Sequence, residues 1–159
     1  MNRTTAKYWT KKDRKAVKRA KSFKSLARIA IRIIRRMPQP VVQVCGPITT
    51  GGVGTVAGNI EIFKQAIKKV QRSGKSVFDQ LPFEKPIWKI MKDFPRRWGR
   101  PNKKDCQLLD EFYGTIFRSG VLKELHFIPG WEYSFGACWE YGLGNELGLK
   151  IVTLIDNVR

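Results

Sequence analysis

The chain carries one histidine, three cysteines and, across its first 37 residues, a single acid, Asp13. Each scarcity excludes something. His126 lies in the run LKELHFI with no second histidine anywhere, which removes most histidine-dependent chemistry and reads first as a packed side chain. Cys45, Cys106 and Cys138 are widely spaced, odd in number and without a C-x-x-C pair. Neither a disulfide framework nor a zinc site is expected, and a reducing, cytoplasmic setting is the natural one. No apolar run approaches the ~20 residues that span a bilayer. The glycine-rich stretch after residue 45 lacks both the G-K-[ST] of a P-loop and the G-x-G-x-x-G of a dinucleotide site, and neither a metal nor a cofactor is expected.

What is present is a basic chain of 159 residues with a net charge of +18 and 42% hydrophobic residues, enough for one ordinary domain with a core. The charge is uneven. Residues 1 to 37 hold 14 of the 31 Lys and Arg, whereas the other residues set 17 bases against 12 acids. Within KKDRKAVKRAKSFKSLARIAIRIIRRM, Ala16, Ala20, Phe23, Ala27, Ala30 and Ile34 recur at three- and four-residue steps. That spacing predicts a basic amphipathic helix, with Pro38 and Pro40 opening a linker. Residues 1–40 are thus expected to form a helical arm and linker, and 41–159 an α/β domain. Such an arm suits contact with nucleic acid or an anionic surface, organellar targeting, or docking on its own domain.

From residue 41 the pattern alternates. VVQVC, KSVFDQ, LKELHFIP and LKIVTLID read as strands. IEIFKQAIKKVQRSG, DCQLLDEFYGTIFRSG and GACWEYGLGNELG read as helices, and LPFEKPIWKIMKDFPRRWGRPNKK as irregular. Strands alternating with helices predict a small flavodoxin- or Rossmann-like parallel sheet of four to five strands, with helices on both faces. Ligands in such folds sit beyond the carboxyl ends of the strands. Two loops expected there carry chemistry. GPITTGGVGTVAGN leads into a helix N-terminus, where backbone N–H groups and the helix dipole favour an anion. In GWEYSFGACWEYGLG, Ser134 is an N-cap candidate, Gly136 and Ala137 keep the first helical turn small, and Glu140 lies one turn further in. Trp131, in the loop, is the aromatic most suited to stacking a base, and Trp139 reads as packing. Phe78, Phe83 and Phe135 are candidate cleft walls.

VCGPITTGG followed by IEIFKQAIKKVQRSGKSVFD, and FIPGWEYSFGACWEYGLGNELGLKI after it, resembles the nucleoside 2-deoxyribosyltransferase-like superfamily. Within it the likeness is nearest to the 2′-deoxynucleoside 5′-monophosphate N-glycosidases and related proteins with a G-W-x-x-S-x-G-A-x-x-E pattern. Gly130, Trp131, Ser134, Gly136, Ala137 and Glu140 match every fixed position of that pattern, and the likeness covers roughly residues 41 to 155. The resemblance implies an enzyme that cleaves or exchanges the bond between a base and a deoxyribose. Glu140 would attack the anomeric carbon, and water or a second base would resolve the glycosyl-enzyme. Ser134 with the loop residues Gly46, Ile48, Thr49, Gly51 and Gly52 would hold a 5′-phosphate. The resemblance also implies a second acid in the helix before the third strand. Counting back from Ser134 without gaps lands near Ile116; Asp110 takes the role if extra residues intervene, with Asp105 as an alternative and Asp79 as a further cleft acid touching base or sugar. Members usually pair, so a homodimer is expected. The alternative is a non-catalytic protein that binds nucleotides or nucleic acid with the same cleft and the basic arm.

Overall fold

The computed structural model describes residues 3–92 and 101–155. In chain order the elements are α1 (Arg3–Ala6), α2 (Lys11–Arg19), α3 (Phe23–Arg35), β1 (Val41–Cys45), α4 (Val56–Arg72), β2 (Ser76–Phe78), α5 (Glu84–Met91), α6 (Lys103–Leu108), α7 (Thr115–Arg118), β3 (Glu124–Phe127), α8 (Phe135–Glu146) and β4 (Lys150–Thr153). Short 3-10 turns cover Leu81–Phe83 and Trp131–Tyr133, and a π-helical turn, Leu109–Gly114, joins α6 to α7. The four strands form one parallel sheet in the order β2-β1-β3-β4.

Side chains alternate across β1, and each set meets its own helix layer. Val42 and Val44 join Val77 and Ile128 beneath Phe63, Ala66, Ile67 and Val70 of α4. Val41 and Cys45 point the other way, into a larger core with Leu125 and Phe127 of β3, Phe112 and Ile116 of the π turn and α7, and the apolar face of α3. The sheet is therefore covered on both faces, as the alternating pattern predicts.

The basic segment is not one helix. Thr10 caps α2 through a reciprocal pair with Asp13, and Ser22 caps α3 through the same device with Ser25. Extended backbone at Ala20 ends the first helix, and the second cap starts the next one at Phe23. Nor is the segment detached. Phe23, Leu26, Ala27, Ala30, Ile33 and Ile34 are 0 or 1% exposed and lie in the same core as β1 and β3. At about 1.5–3 kcal/mol for each large apolar side chain buried, this face is structural, so residues 11–37 and the sheet form one body. Asp13 ties α2 to α3. It is buried and accepts from the backbone and hydroxyl of Thr10, from Arg32 at 3.2 Å, and from Arg36. Burial raises its carboxyl, but the Thr10 bonds and the two guanidiniums outweigh it and hold the group below its ordinary range.

Two boundaries differ from expectation. α4 begins at Val56, four residues early, because Thr55 accepts from the Gly58 N–H and caps it there. The stretch expected to be irregular contains α5, whose Ile87 and Trp88 face the core. Residues 93–100 of that stretch lie outside the described residues.

Candidate functional site

The sheet's carboxyl edge opens into a cavity of about 300 Å³, within the size range of small-molecule sites. Gly46, Ile48, Thr49 and Thr50 line it from the loop after β1, and Ser134, Phe135, Gly136, Ala137 and Glu140 from α8. Gln80 and Glu84 come from the β2–α5 side, and Asn102, Asp105, Leu109 and Tyr113 from α6 and the π turn.

The loop after β1 is held from within. Asn59, 2% exposed on the first turn of α4, donates to the carbonyls of Ile48 and Gly51 at 3.1 and 3.2 Å and accepts from the Val53 N–H at 2.9 Å. Gly51 and Gly52 adopt φ of +71° and +67°. A Cβ on Gly51 would lie 2.7 Å from the Tyr133 carbonyl oxygen, and one on Gly52 2.1 Å from Asn59 Oδ1. Both glycines thus shape the loop and do not line the cavity. Thr50 joins the two loops by accepting from the Phe135 N–H at 3.1 Å.

Ser134 caps α8, accepting from the Ala137 N–H at 3.4 Å, and is 3% exposed. An accepted bond leaves its hydroxyl proton for a ligand. Glu140 follows in the second turn, 6% exposed, and faces β1. Gln43 Nε2 donates to its Oε1 at 3.3 Å, and the Cys45 thiol bonds it as well. Gln43 and Cys45, two apart on β1, share the face on which Glu140 rests. Burial, joined by the charge of Glu84, outweighs those two bonds and pushes the Glu140 carboxyl up to about 8. At neutral pH this carboxyl therefore holds its proton. Burial, with Glu140 alongside, likewise lifts the Cys45 thiol well above its ordinary value.

Of the residues singled out by sequence, Gly46, Ile48, Thr49, Ser134, Gly136, Ala137 and Glu140 share this cavity. Asp110 does not. Its side chain is 63% exposed and pairs with Arg118 at 2.9 Å, because the π turn directs Leu109 and Tyr113 inward and leaves Asp110 on the outer face. The weaker alternative, Asp105, does line the cavity, with one carboxylate oxygen accepting from the Asn102 N–H at 2.9 Å. Asp79 is buried, accepts from the Leu81 N–H at 3.1 Å, and borders a separate pocket with Lys64 and Lys68. Trp131 turns from the cavity and stacks on Tyr141, with ring centroids 4.5 Å apart, while Phe127 meets it at a tilt of 55°. Phe78 and Phe83 are core residues at 1 and 0% exposure, whereas Phe135 does form part of the cavity wall.

Gln43, Gln80, Glu84 and Tyr113 do not stand out in the sequence. One signal is there: Gln43 is the sole polar residue in VVQVC, and a wholly buried amide needs a partner. The Oε1 atoms of Gln43 and Gln80 are both buried without a hydrogen-bond partner. Among the described residues lining the cavity are three carboxyls, Glu84, Asp105 and Glu140, and no Lys, Arg or His.

Fold and cavity together define a parallel α/β domain with a buried carboxyl pocket at the carboxyl edge of its sheet. No protein-family model, curated protein or solved structure matches the chain. Among the described residues no helix is long and apolar enough to cross a membrane, and no cluster of His, Cys, Asp and Glu is arranged to hold a metal ion.

Proposed function

We propose that the protein cleaves the N-glycosidic bond of a deoxynucleoside or its 5′-monophosphate, by hydrolysis or by transfer, with Glu140 as nucleophile. The observation that carries this reading is a buried carboxyl, on a helix capped by Ser134, in the wall of a cavity the size of a small ligand. An oxocarbenium-like transition state calls for a carboxylate beneath the anomeric carbon and a second acid beside the leaving base. Glu84 takes that second role in place of Asp110, because it shares the cavity and its charge is felt at Glu140.

The raised proton affinity of Glu140 fits a pair that holds one proton between two carboxyls. Passing the proton from Glu140 to Glu84 creates the nucleophile and the acid together. The Glu140 carboxylate then bonds the anomeric carbon as the bond to the base nitrogen breaks, and the base departs with the proton from Glu84. Water, or an incoming base, then attacks the anomeric carbon and gives its proton to Glu84 as the glycosyl ester breaks, and return of that proton restores Glu140. Gln43 and Cys45 steady the charged carboxylate by hydrogen bonding. Ser134 and the N-terminus of α8 receive the 5′ end of the substrate. Exposed Tyr141 and Leu147 on and just after α8 suit pairing into a homodimer.

Chromatography of free base released from a panel of deoxynucleosides and their monophosphates tests the reading. The wild type should release base from at least one, and Glu140→Gln should release none while remaining folded. A wild type that binds such compounds yet never liberates base overturns it.

A further inference from the structure

Thirteen exposed cations lie between Lys7 and Arg36, and the catalytic proposal uses none of them. In α3, Lys24, Arg28, Arg32 and Arg35 recur at steps of four and three residues on the solvent face, opposite the buried apolar stripe. Lys11, Lys15 and Lys18 repeat the pattern on α2. Successive cations on such a face stand about 5–6 Å apart. The acid of the segment, Asp13, is buried under Arg32 and Arg36, so no carboxylate interrupts the surface there.

Two observations select the partner. An amphipathic helix binds a bilayer by sinking its apolar face into it, and the apolar face of α3 is already consumed by the core. What remains is a rigid, purely cationic surface suited to a chain of phosphates. This surface also leads somewhere. Lys104 of α6 sits 5.7 Å from the centroid of the Phe23 ring at the start of α3, and Lys103 beside it is exposed. Asn102 and Asp105, on either side of these lysines, line the cavity, whose wall also includes Phe135 at 42% exposure; Tyr133, at 82%, lies two residues before it. Cations along a path that ends at exposed aromatic rings are the elements of a single-strand groove.

We propose that α2 and α3, continued by Lys103 and Lys104, bind the backbone of a single-stranded nucleic acid and lead it to the mouth of the Glu140 cavity. This surface stands independently of the chemistry at Glu140. The test is fluorescence anisotropy of the full chain with a labelled single strand of about 20 nucleotides, the matching duplex, and phosphatidylserine vesicles as competitor, at about 50 to 200 mM salt. The variant Lys15→Glu/Lys18→Glu/Lys24→Glu/Arg28→Glu changes four exposed side chains and spares both caps and the Asp13 ion pairs. It should weaken single-strand binding by about tenfold or more and reduce the slope of log affinity against log salt by about 3, near 0.7 for each phosphate no longer neutralised. The neutral set with alanine at the same positions should show the same slope change, which covers the case that reversal harms folding. Lys64→Glu/Lys68→Glu on α4 should leave affinity within about twofold. Absence of single-strand binding at low salt, affinity untouched by either quadruple variant, tighter binding of duplex, or displacement by vesicles at lower charge concentration would each overturn the proposal.

Discussion

Glu140→Gln should stabilise the protein at neutral and alkaline pH, and the size of the gain follows from the pocket. In the unfolded chain the carboxyl titrates near 4.5; in the folded protein burial moves it to about 8. The folded state therefore binds this proton more tightly, and its contribution to stability is full below pH 4.5 and is lost as pH rises through about 8. At pH 7 the loss is about two and a half powers of ten in the folding equilibrium, or about 3 kcal/mol, and above pH 8 it levels off near 5 kcal/mol. Glutamine keeps the shape and has no proton to lose. Urea unfolding of both proteins from about pH 5 to pH 9 isolates the effect, because the difference between them cancels the other titrating groups to first order. The variant's advantage should grow from pH 5 to about pH 8 and then level off. A pH-independent difference, or a wild type that gains on the variant as pH rises, would refute the claim that this carboxyl is buried with its proton. The gain would come with loss of base release, the trade expected where a strained group is kept for chemistry.

Four other outcomes follow from the same geometry. Glu84→Gln removes a like charge from the cavity, so the Glu140 titration midpoint, read from the same unfolding difference, should move below 8. Base release in kcat/KM profiles should fall as pH rises through about 8, because the proton that Glu140 passes to Glu84 for the departing base is then lost from the free protein. Gly51→Ala forces a left-handed φ and an approach of 2.7 Å to the Tyr133 carbonyl, which should cost about 1–3 kcal/mol by thermal unfolding and weaken ligand binding. On the opposite face of the sheet, Glu124 accepts from Lys75 and His126 at 2.9 Å each. Burial raises this group, but those bonds and the charges of Lys75 and Lys150 outweigh it and hold the carboxyl at about 2. Its stabilisation should be present above pH 4.5 and lost as pH falls through about 2, and acid unfolding of Glu124→Gln should lack that component.

The strand–helix alternation was legible because each strand is a short apolar run and each loop carries its own punctuation. Ser134 was readable as a cap, and Glu140 as a side chain set one turn behind it. The rest depended on distant partners. A π turn re-aims a helix by one residue, and nothing in LDEFYG announces it; the family resemblance puts Asp110 at the site, whereas Leu109 and Tyr113 line the cavity. Trp131 sits in a loop, where exposure is the fair expectation, but Tyr141 offers it a stack and Phe127 packs against it at a tilt. Glu84 stood in a stretch whose prolines and charges argued against any helix, though Pro82 and Pro86 fall within the short 3-10 turn and the first turn of α5, where a missing N–H costs little. The amphipathic stripe of residues 16 to 34 was visible, whereas the surface it covers was not, because periodicity reports that a face is apolar and not what lies beneath it.

That covered surface has a consequence for any dissection of the two proposed activities. Phe23, Leu26, Ile33 and Ile34 lie in one core with Val41, Cys45 and Phe83, and Cys45 touches Glu140. Deleting residues 1–37 would strip the basic surface and also unroof the sheet beside the Glu140 carboxyl. Water admitted there would lower the proton affinity of Glu140, so binding and chemistry would fail together for a reason unrelated to either. Exposed point charges separate them, because Lys15, Lys18, Lys24 and Arg28 contribute to the surface potential and not to the core. With those four replaced, base release from a free nucleotide should persist near the wild-type rate while affinity for a single strand falls. Loss of both from a folded variant would mean that the cationic helices act on the cavity itself, and that binding and chemistry are one activity rather than two.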